Sequence, residues 1–203
     1  MPDETKPDAG RLEALIAAAK AAGGRGPAPV ERWNPADCGD MDMRIAADGS
    51  WHYMGTSIGR PALVKLFASV LDREGERFVL KTPVEKIGIT VEDAPFLAVD
   101  MAAEEGPGGV TLVFRTNMDD VVRCGREHPL RFAPGAQAGE VTPYLTVRRA
   151  LEARLTRAVH LDLVERGEVR DIDGTAMFGI ASGGAFFAVM PAEALDTAAG
   201  GSS

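Results

Sequence analysis

Apolar positions along this 203-residue chain recur with two periods, and the changes of period mark its elements. A spacing of three and four residues lines one face of a helix, whereas a spacing of two lines one face of a strand. Over Arg11–Ala22, Leu12, Leu15, Ile16 and Ala19 share a face, which predicts an amphipathic helix stopped by Gly23 and Gly24. The GGRGPAP run that follows reads as a linker, so this helix docks either on its own core or in a partner's groove. Leu63, Leu66, Phe67, Val70 and Leu71 form the stripe of a second helix, with Pro61 in its first turn. Leu151, Leu155, Val159 and Leu163 recur every four residues and predict a third helix, from about Arg149 to Arg166, stopped by Gly167.

Between the helices the pattern is extended. Met43–Ala46 and Trp51–Met54 flank Asp48-Gly49, a dipeptide that readily takes the positive φ of a tight hairpin turn. Phe78–Lys81 and Val84–Val91 read as strands broken at Thr82-Pro83, after a turn over Asp72–Glu76. Phe96–Ala103 and Val110–Arg115 form a second hairpin around EEGPGG, and Thr116–Asp120 is a polar corner. Val121–Cys124 and Leu130–Ala133 are short extended runs, and Thr142–Val147 is a strand that Pro143 places near an edge. Ala176–Ala181 and Ala185–Met190 flank Ser182-Gly183-Gly184 as a third hairpin. Strands that cluster instead of alternating with helices predict an α+β fold: mainly antiparallel hairpins with one long helix packed on each sheet.

The pattern also repeats. Asp48–Leu71 and Ala138–Val164 each run from a Gly-containing turn through an extended stretch to an arginine, Arg60 or Arg148, and then to apolar residues at helical spacing. Superposing the arginines puts Leu63 on Leu151, Phe67 on Leu155 and Leu71 on Val159. Two similar lobes are expected, with a boundary at Ala94-Pro95. The organisation is then residues 1–30 as a disordered start, helix and linker, 31–93 as the first lobe, 94–190 as the second, and 191–203 as a disordered tail.

Composition narrows the function classes. With 45% hydrophobic residues, a chain of this length should bury roughly 70% of its unfolded surface and fold without disulfides or metal. The net charge of −8 disfavours nucleic acid, whose phosphates need a basic footprint, and disfavours anionic membrane surfaces. MPDETKPDAG lacks the basic start and apolar stretch of a secretory signal, and no apolar run reaches the ~20 residues of a membrane span. Two cysteines, Cys38 and Cys124, suit a reducing cytoplasm better than a disulfide framework.

The string CGDMDMRIAADGSWHYMGTSIGRPALVKLFASVL, followed by KTPVEKIGITVEDAPFLAV and FRTNMDDVV, resembles bacterial domain-of-unknown-function family 1285. So do YLTVRRALEARLTRAVHLDLVERG and FGIASGGAFF, and the resemblance spans Trp33 to Met190. It implies a two-lobed α+β fold with repeated motifs and suggests signal transduction. It implies no activity and assigns no residue a role.

The residues themselves offer several chemistries, each beside a plainer reading. Cys38 with His52, or Cys124 with His128, could ligate Zn²⁺, but neither spacing makes a compact knuckle, and free cysteine is usually a small buried hydrophobe. Ser57, Ser69 and Ser182 lack a nucleophile elbow, and the GGRG, GPGG and SGG runs lack a phosphate-loop pattern. Glu85, Glu92, Asp93, Asp119 and Asp120 are numerous enough for acid–base work, yet they sit where turns and strand ends place such residues anyway. Arg60 and Arg148, each expected at a helix start, either fork onto an anionic ligand or pair with an acid of the fold. A cleft between lobes is a common ligand position, and its expected lining is Lys81, Glu85, Asp93, Asn117 and Asp119, with Arg60 and Arg148 nearby. The expectation is a non-enzymatic regulatory, ligand-sensing or signal-transduction module of the cytoplasm, with a small molecule or a protein, a second copy included, as partner. No cofactor or metal is expected. The alternatives are a structural or interaction module, or an enzyme using acidic residues at the cleft.

Overall fold

The computed structural model describes residues 8–23, 26–135 and 140–195. Residues 1–7, 24–25, 136–139 and 196–203 lie outside the described residues; of the expected disordered tail, 191–203, residues 191–195 are described, and Pro191 ends a strand. The chain divides into two compact units between Asp93 and Ala94.

The first unit begins with helix α1 (Asp8–Ala22) and a 3-10 turn at Val30–Arg32. Strands β1 (Asp37–Ile45), β2 (Trp51–Tyr53) and β3 (Thr56–Ser57) follow, then helix α2 (Pro61–Ser69). Strands β4 (Leu71–Glu74), β5 (Arg77–Lys81) and β6 (Lys86–Val91) complete it. The sheet order is β3-β2-β1-β6-β5-β4, and every neighbouring pair is antiparallel except β1 with β6. Two three-stranded meanders thus meet along a parallel seam. A parallel pair needs a crossover connection, and α2 supplies it between the two outer strands. Trp51 and Phe67, both buried, stack with centroids 6.2 Å apart at the centre of the core. Met43, Ile45, Leu71, Leu80 and Ile87 fill the space around them.

The apolar face of α1 is used by its own unit. Leu15 and Ala19 are fully buried, α1 packs on α2, and Arg11 donates to the backbone carbonyls of Cys38 at 2.5 Å and Asp40 at 3.2 Å. The Ala28 N–H donates to the Ser69 carbonyl at 2.9 Å and pins the following segment to the end of α2. The alternative of a helix free for a partner's groove is thereby corrected.

The second unit opens with β7 (Phe96–Gly106), β8 (Gly109–Thr116), β9 (Val121–Arg123), β10 (Leu130–Pro134), β11 (Val141–Arg148) and β12 (Leu151–Leu155). Helix α3 (Arg157–Val164) and strands β13 (Glu168–Ile172), β14 (Thr175–Ser182) and β15 (Ala185–Pro191) follow. The larger sheet runs β10-β11-β12-β7-β8-β9, with β12 and β7 parallel and the rest antiparallel. Strands β13, β14 and β15 form a separate antiparallel sheet. Ser182 fastens that sheet to the larger one: its hydroxyl donates to the Cys124 carbonyl and accepts the Leu112 N–H, both at 2.8 Å.

Read from the other edge, the second order is β9-β8-β7-β12-β11-β10, strand for strand the plan of the first unit. The internal repeat therefore lies in the sheets. Its anchoring on arginines is overturned: Arg60 precedes α2, whereas Arg148 ends β11. The helices enter at different points, α2 between the third and fourth strands and α3 after the sixth. The expected helix from Arg149 is also corrected, because Leu151, Ala153 and Leu155 are buried in alternation on a strand. A four-residue spacing is a multiple of the strand period as well as close to a helical turn, so leucines at 151 and 155 satisfy both. Only Val159 and Leu163 are buried from a helix. In the first unit the helix likewise ends at Ser69, and Leu71 begins a strand where a turn was expected to follow.

Candidate functional site

The side chains expected around a ligand divide between the two units. In the first, Arg60 occupies the N-cap position of α2, exposed and without a capping hydrogen bond. Lys81, at the end of β5, is buried, and its ammonium lies 3.0 Å from Glu74 and 3.9 Å from Asp72. Lys86 reaches the same Glu74 at 2.8 Å, and the two lysines hold that carboxyl below its ordinary range. Glu85 belongs to the turn after Lys81, where its carbonyl accepts the Thr82 N–H at 2.9 Å. Asp93 is half-buried at the end of the unit.

In the second unit, Asn117 caps the start of the sheet, its side-chain oxygen accepting the Leu97 N–H at 3.0 Å. Asp119 is exposed in the same corner, in the left-handed region with φ of 67°. Arg148 pairs with Asp120 at 2.9 Å and stacks on buried Phe96, its guanidinium carbon 4.8 Å from the ring centroid. Burial pushes the Arg148 pKa down while Asp120 opposes the shift. Thus the acidic partner expected for this arginine is present, although no helix begins there. Asn117, Asp119, Asp120 and Arg148 gather around one corner, and Lys81 and Glu85 flank one turn.

Of the remaining candidates, Cys38 and Ser57 are exposed, the former against the expectation of a buried hydrophobe, and the others serve the fold. Burial pushes the Cys124 thiol up to about 11, which leaves it inert as a nucleophile. Both hydroxyl bonds of Ser182 are engaged, and the Ser69 hydroxyl donates back to the Leu66 carbonyl at 2.7 Å. His52 contacts Ser50 at 2.9 Å, and His128 contacts the Thr146 carbonyl at 3.1 Å. Among the described residues no three His, Cys, Asp or Glu side chains gather as a metal site.

A different place in the second unit has the shape of a site. A cavity of about 1260 Å³ opens between the β10–β11 hairpin, the end of β12, the start of α3 and β15. It lies past the carboxyl end of β12, one strand of the parallel pair. Phe132, Pro143, Leu155, Val189 and Met190 give it apolar walls, and Leu161 stands in it 57% exposed. Among the described residues its polar wall carries Arg154, Thr156, Arg157 and His160, with Glu140 as the acid.

Local sequence explains that wall. Alternation along β12 turns Leu151, Ala153 and Leu155 to the core and leaves Glu152 and Arg154 on the other face. Arg131 takes Glu152 in a two-pronged bridge at 2.7 and 2.8 Å and stacks on Tyr144, 4.3 Å from its centroid. Glu152 is therefore matched before it reaches the cavity. Thr156 leaves the strand in an extended conformation, N-caps α3 without using its side chain, and lets the helix start at Arg157. One turn later His160 shares the face of Arg157. Burial lowers the His160 pKa, and Glu140 partly opposes the shift. Arg157 is exposed and makes no ion pair with any described residue.

Comparison with known proteins follows the same division. The N-terminal domain of DUF1285, a domain of unknown function, matches residues 28–94, and the C-terminal domain of DUF1285, described as a protein of unknown function, matches residues 95–189. The chain belongs to the DUF1285 family. The crystal structure of a DUF1285 family protein from Silicibacter pomeroyi DSS-3 is 47% identical, with a TM-score of 0.82 over 90% of this chain and 97% of that one. A DUF1285 family protein from Shewanella baltica OS155 is 32% identical, with a TM-score of 0.48 over 61% of this chain and 90% of that one. No curated protein matches.

In this DUF1285 chain the cavity lies in the C-terminal unit, and sequence reasoning missed its polar wall. A helix from Arg149 would turn Arg154, Arg157 and His160 away from its apolar stripe, so nothing singled them out. The available signal was the strict alternation of Leu151 to Leu155, which marks a strand and separates Arg154 from Arg157 by a change of element. No described helix is long and apolar enough to cross a membrane.

Proposed function

We propose that this DUF1285 chain is a non-enzymatic ligand-sensing module of the cytoplasm, and that its small-molecule ligand occupies the cavity beside α3. The carrying observation is the cavity itself: about 1260 Å³, with apolar walls, convergent polar groups and an exposed leucine. Concave sites of this make-up, commonly on the order of 300–1,000 Å³, are the default position for small ligands. A signalling role follows if a second protein reads the occupied state. The test is a thermal-shift screen of the full chain against nucleotides, amino acids, organic acids and neutral analogues. A saturable rise in Tm for one class, lost on Leu161→Glu in the cavity, supports the reading. No shift from any class contradicts it.

A second reading, an interaction module, is favoured by exposed Leu161, Val164, Val169 and Ile172 on α3 and β13. Isolated exposed apolar residues are ordinary, but four on consecutive elements are more than scatter. Light scattering across a concentration series separates the two: mass growth abolished by Val169→Lys with Ile172→Lys supports the interaction module.

A further inference from the structure

Strand β13 is an edge of the three-stranded sheet and is exposed at all five positions. Its turn into β14 has two central residues, Asp173 and Gly174, with φ of 53° and 82°, and Ile172 faces Thr175 across it. A two-residue hairpin closes on a hydrogen-bonded pair, and such pairs alternate along antiparallel strands. The backbone groups of Glu168, Arg170 and Ile172 therefore point to β14, and those of Val169 and Asp171 point outward. No described residue takes the outward groups. Segments 136–139 and 196–203 leave from β10 and from beyond β15, which contact each other on the opposite side of β14. Open edges accept further strands, and charged side chains commonly prevent it. Here Glu168, Arg170 and Asp171 do so in every two-fold arrangement but one. A two-fold axis between antiparallel edges keeps the sheet faces, so one residue must face its own copy. Centring on Glu168, Arg170 or Asp171 sets like charges face to face, and centring on Ile172 sets Asp171 against Asp173 of the second copy. Centring on Val169 sets Glu168 against Arg170 of the second copy on both sides of the axis, with Val169 facing itself and Asp171 facing a glycine, Gly167. Opposite charges directly across a ladder stabilise it, and like charges destabilise it. The side chains are already ordered for this register. Arg170 donates to Glu168 at 2.5 Å along its own strand and stacks on Phe186, 4.9 Å from the ring centroid. That pair persists, and each guanidinium then lies between two carboxylates. Val169, 53% exposed beside Phe178 of β14, gains cover.

We propose that β13 is a self-pairing edge: two copies of this chain join antiparallel through β13 about a two-fold axis at Val169, making one six-stranded sheet of two three-stranded ones. This rests on the reading of the chain as an interaction module and adds the partner, a second copy, and the register. A five-residue strand covers less than a standard interface, so the dimer is reversible.

The test is sedimentation equilibrium of the full chain over a concentration series, with two charge variants. The wild-type mass should climb toward two chains and go no higher. Glu168→Arg sets arginines against arginines across the axis, and Arg170→Glu sets glutamates against glutamates. Each variant alone should dimerise at least about tenfold more weakly, the scale of two cross-strand pairs turned from attraction to repulsion. An equimolar mixture of the two variants restores both opposite-charge pairs and should recover the dimer, which misfolded chains could not do. Both positions are exposed, so neither substitution threatens folding. A dimer indifferent to both variants, or monomeric variants whose mixture stays monomeric, overturns the pairing and leaves the interaction reading standing. Mass growth past two chains does the same. A wild-type chain that stays monomeric at every concentration overturns both, since that reading also expects mass growth.

Discussion

At the residue scale, the charged side chains most conspicuous in the sequence are mainly tied to the fold. Lys81, at the end of the fifth strand of one unit, is buried against carboxylates, and Arg148, at the end of the fifth strand of the other, is half-buried against one. A cation at a sheet end can be seen in the sequence, but whether it meets water or an acid depends on a strand far along the chain. Asp120 offsets part of the cost of burying Arg148. Asp120→Asn should therefore lower stability by about 1.5–3 kcal/mol, the range for hydrogen bonds to charged groups, and urea unfolding followed by fluorescence will measure it. Gly183 makes a sharper case. Its φ is +55° and a Cβ there would stand 2.6 Å from the Cys124 carbonyl oxygen. Gly183→Ala should cost about 1–3 kcal/mol through strain and overpacking, whereas Gly184→Ala, with open space around it, should cost less. Comparing their thermal midpoints checks the difference. Asp48 was legible as a turn residue, and its carboxylate does accept the Ser50 N–H and hydroxyl.

At the element scale, legibility followed the locality of the signal. The Asp48-Gly49 turn formed as expected, with Ile45 opposite Trp51 and Gly49 at φ of 82°. The hairpins around Pro107-Gly108 and Gly183-Gly184 also formed, the first with a tighter tip than EEGPGG suggested, because β7 runs on to Gly106. Helices were harder to delimit. Leu71 and Leu151 fit a helical stripe, but both are buried from strands. Sheet pairing satisfied their backbones, and an i+4 spacing cannot discriminate against that. Strand β13, exposed at all five positions, has no burial pattern to announce it. For α1 the stripe was legible and its docking was not, since the helix packs on α2, far along the sequence. Leu15→Ala should cost about 2–5 kcal/mol, the range for a fully buried leucine. Chemical denaturation will show it; a change near zero would mean that α1 contributes little to the first unit.

At the scale of the whole molecule, the repeat was legible and its frame was not. Each unit joins two three-stranded meanders along a parallel seam, a plan fixed by pairings between residues dozens of positions apart. No local pattern records which meander edge will face which. The same non-locality hid the candidate site, whose lining comes from β10, β11, β12, α3 and β15. One consequence concerns pH. Burial lowers the His160 pKa, so protonating it disfavours the unliganded fold as pH falls below the ordinary histidine value. Around it stand Glu140, which favours the protonated form, and Arg154 and Arg157; Glu193 adjoins the lining residue Ala194. The thermal midpoint should therefore fall as pH drops through and below the ordinary histidine value. Scanning calorimetry across that range should show the fall, and His160→Gln should reduce it.

The central claim is that the cavity beside α3 is the ligand site. A crystal structure of the full chain grown with the compound that raises Tm most in the thermal-shift screen tests it most directly. The account predicts that compound in the cavity, in contact with Leu161 and Met190. The same compound seated elsewhere, with this cavity holding only water, would contradict it.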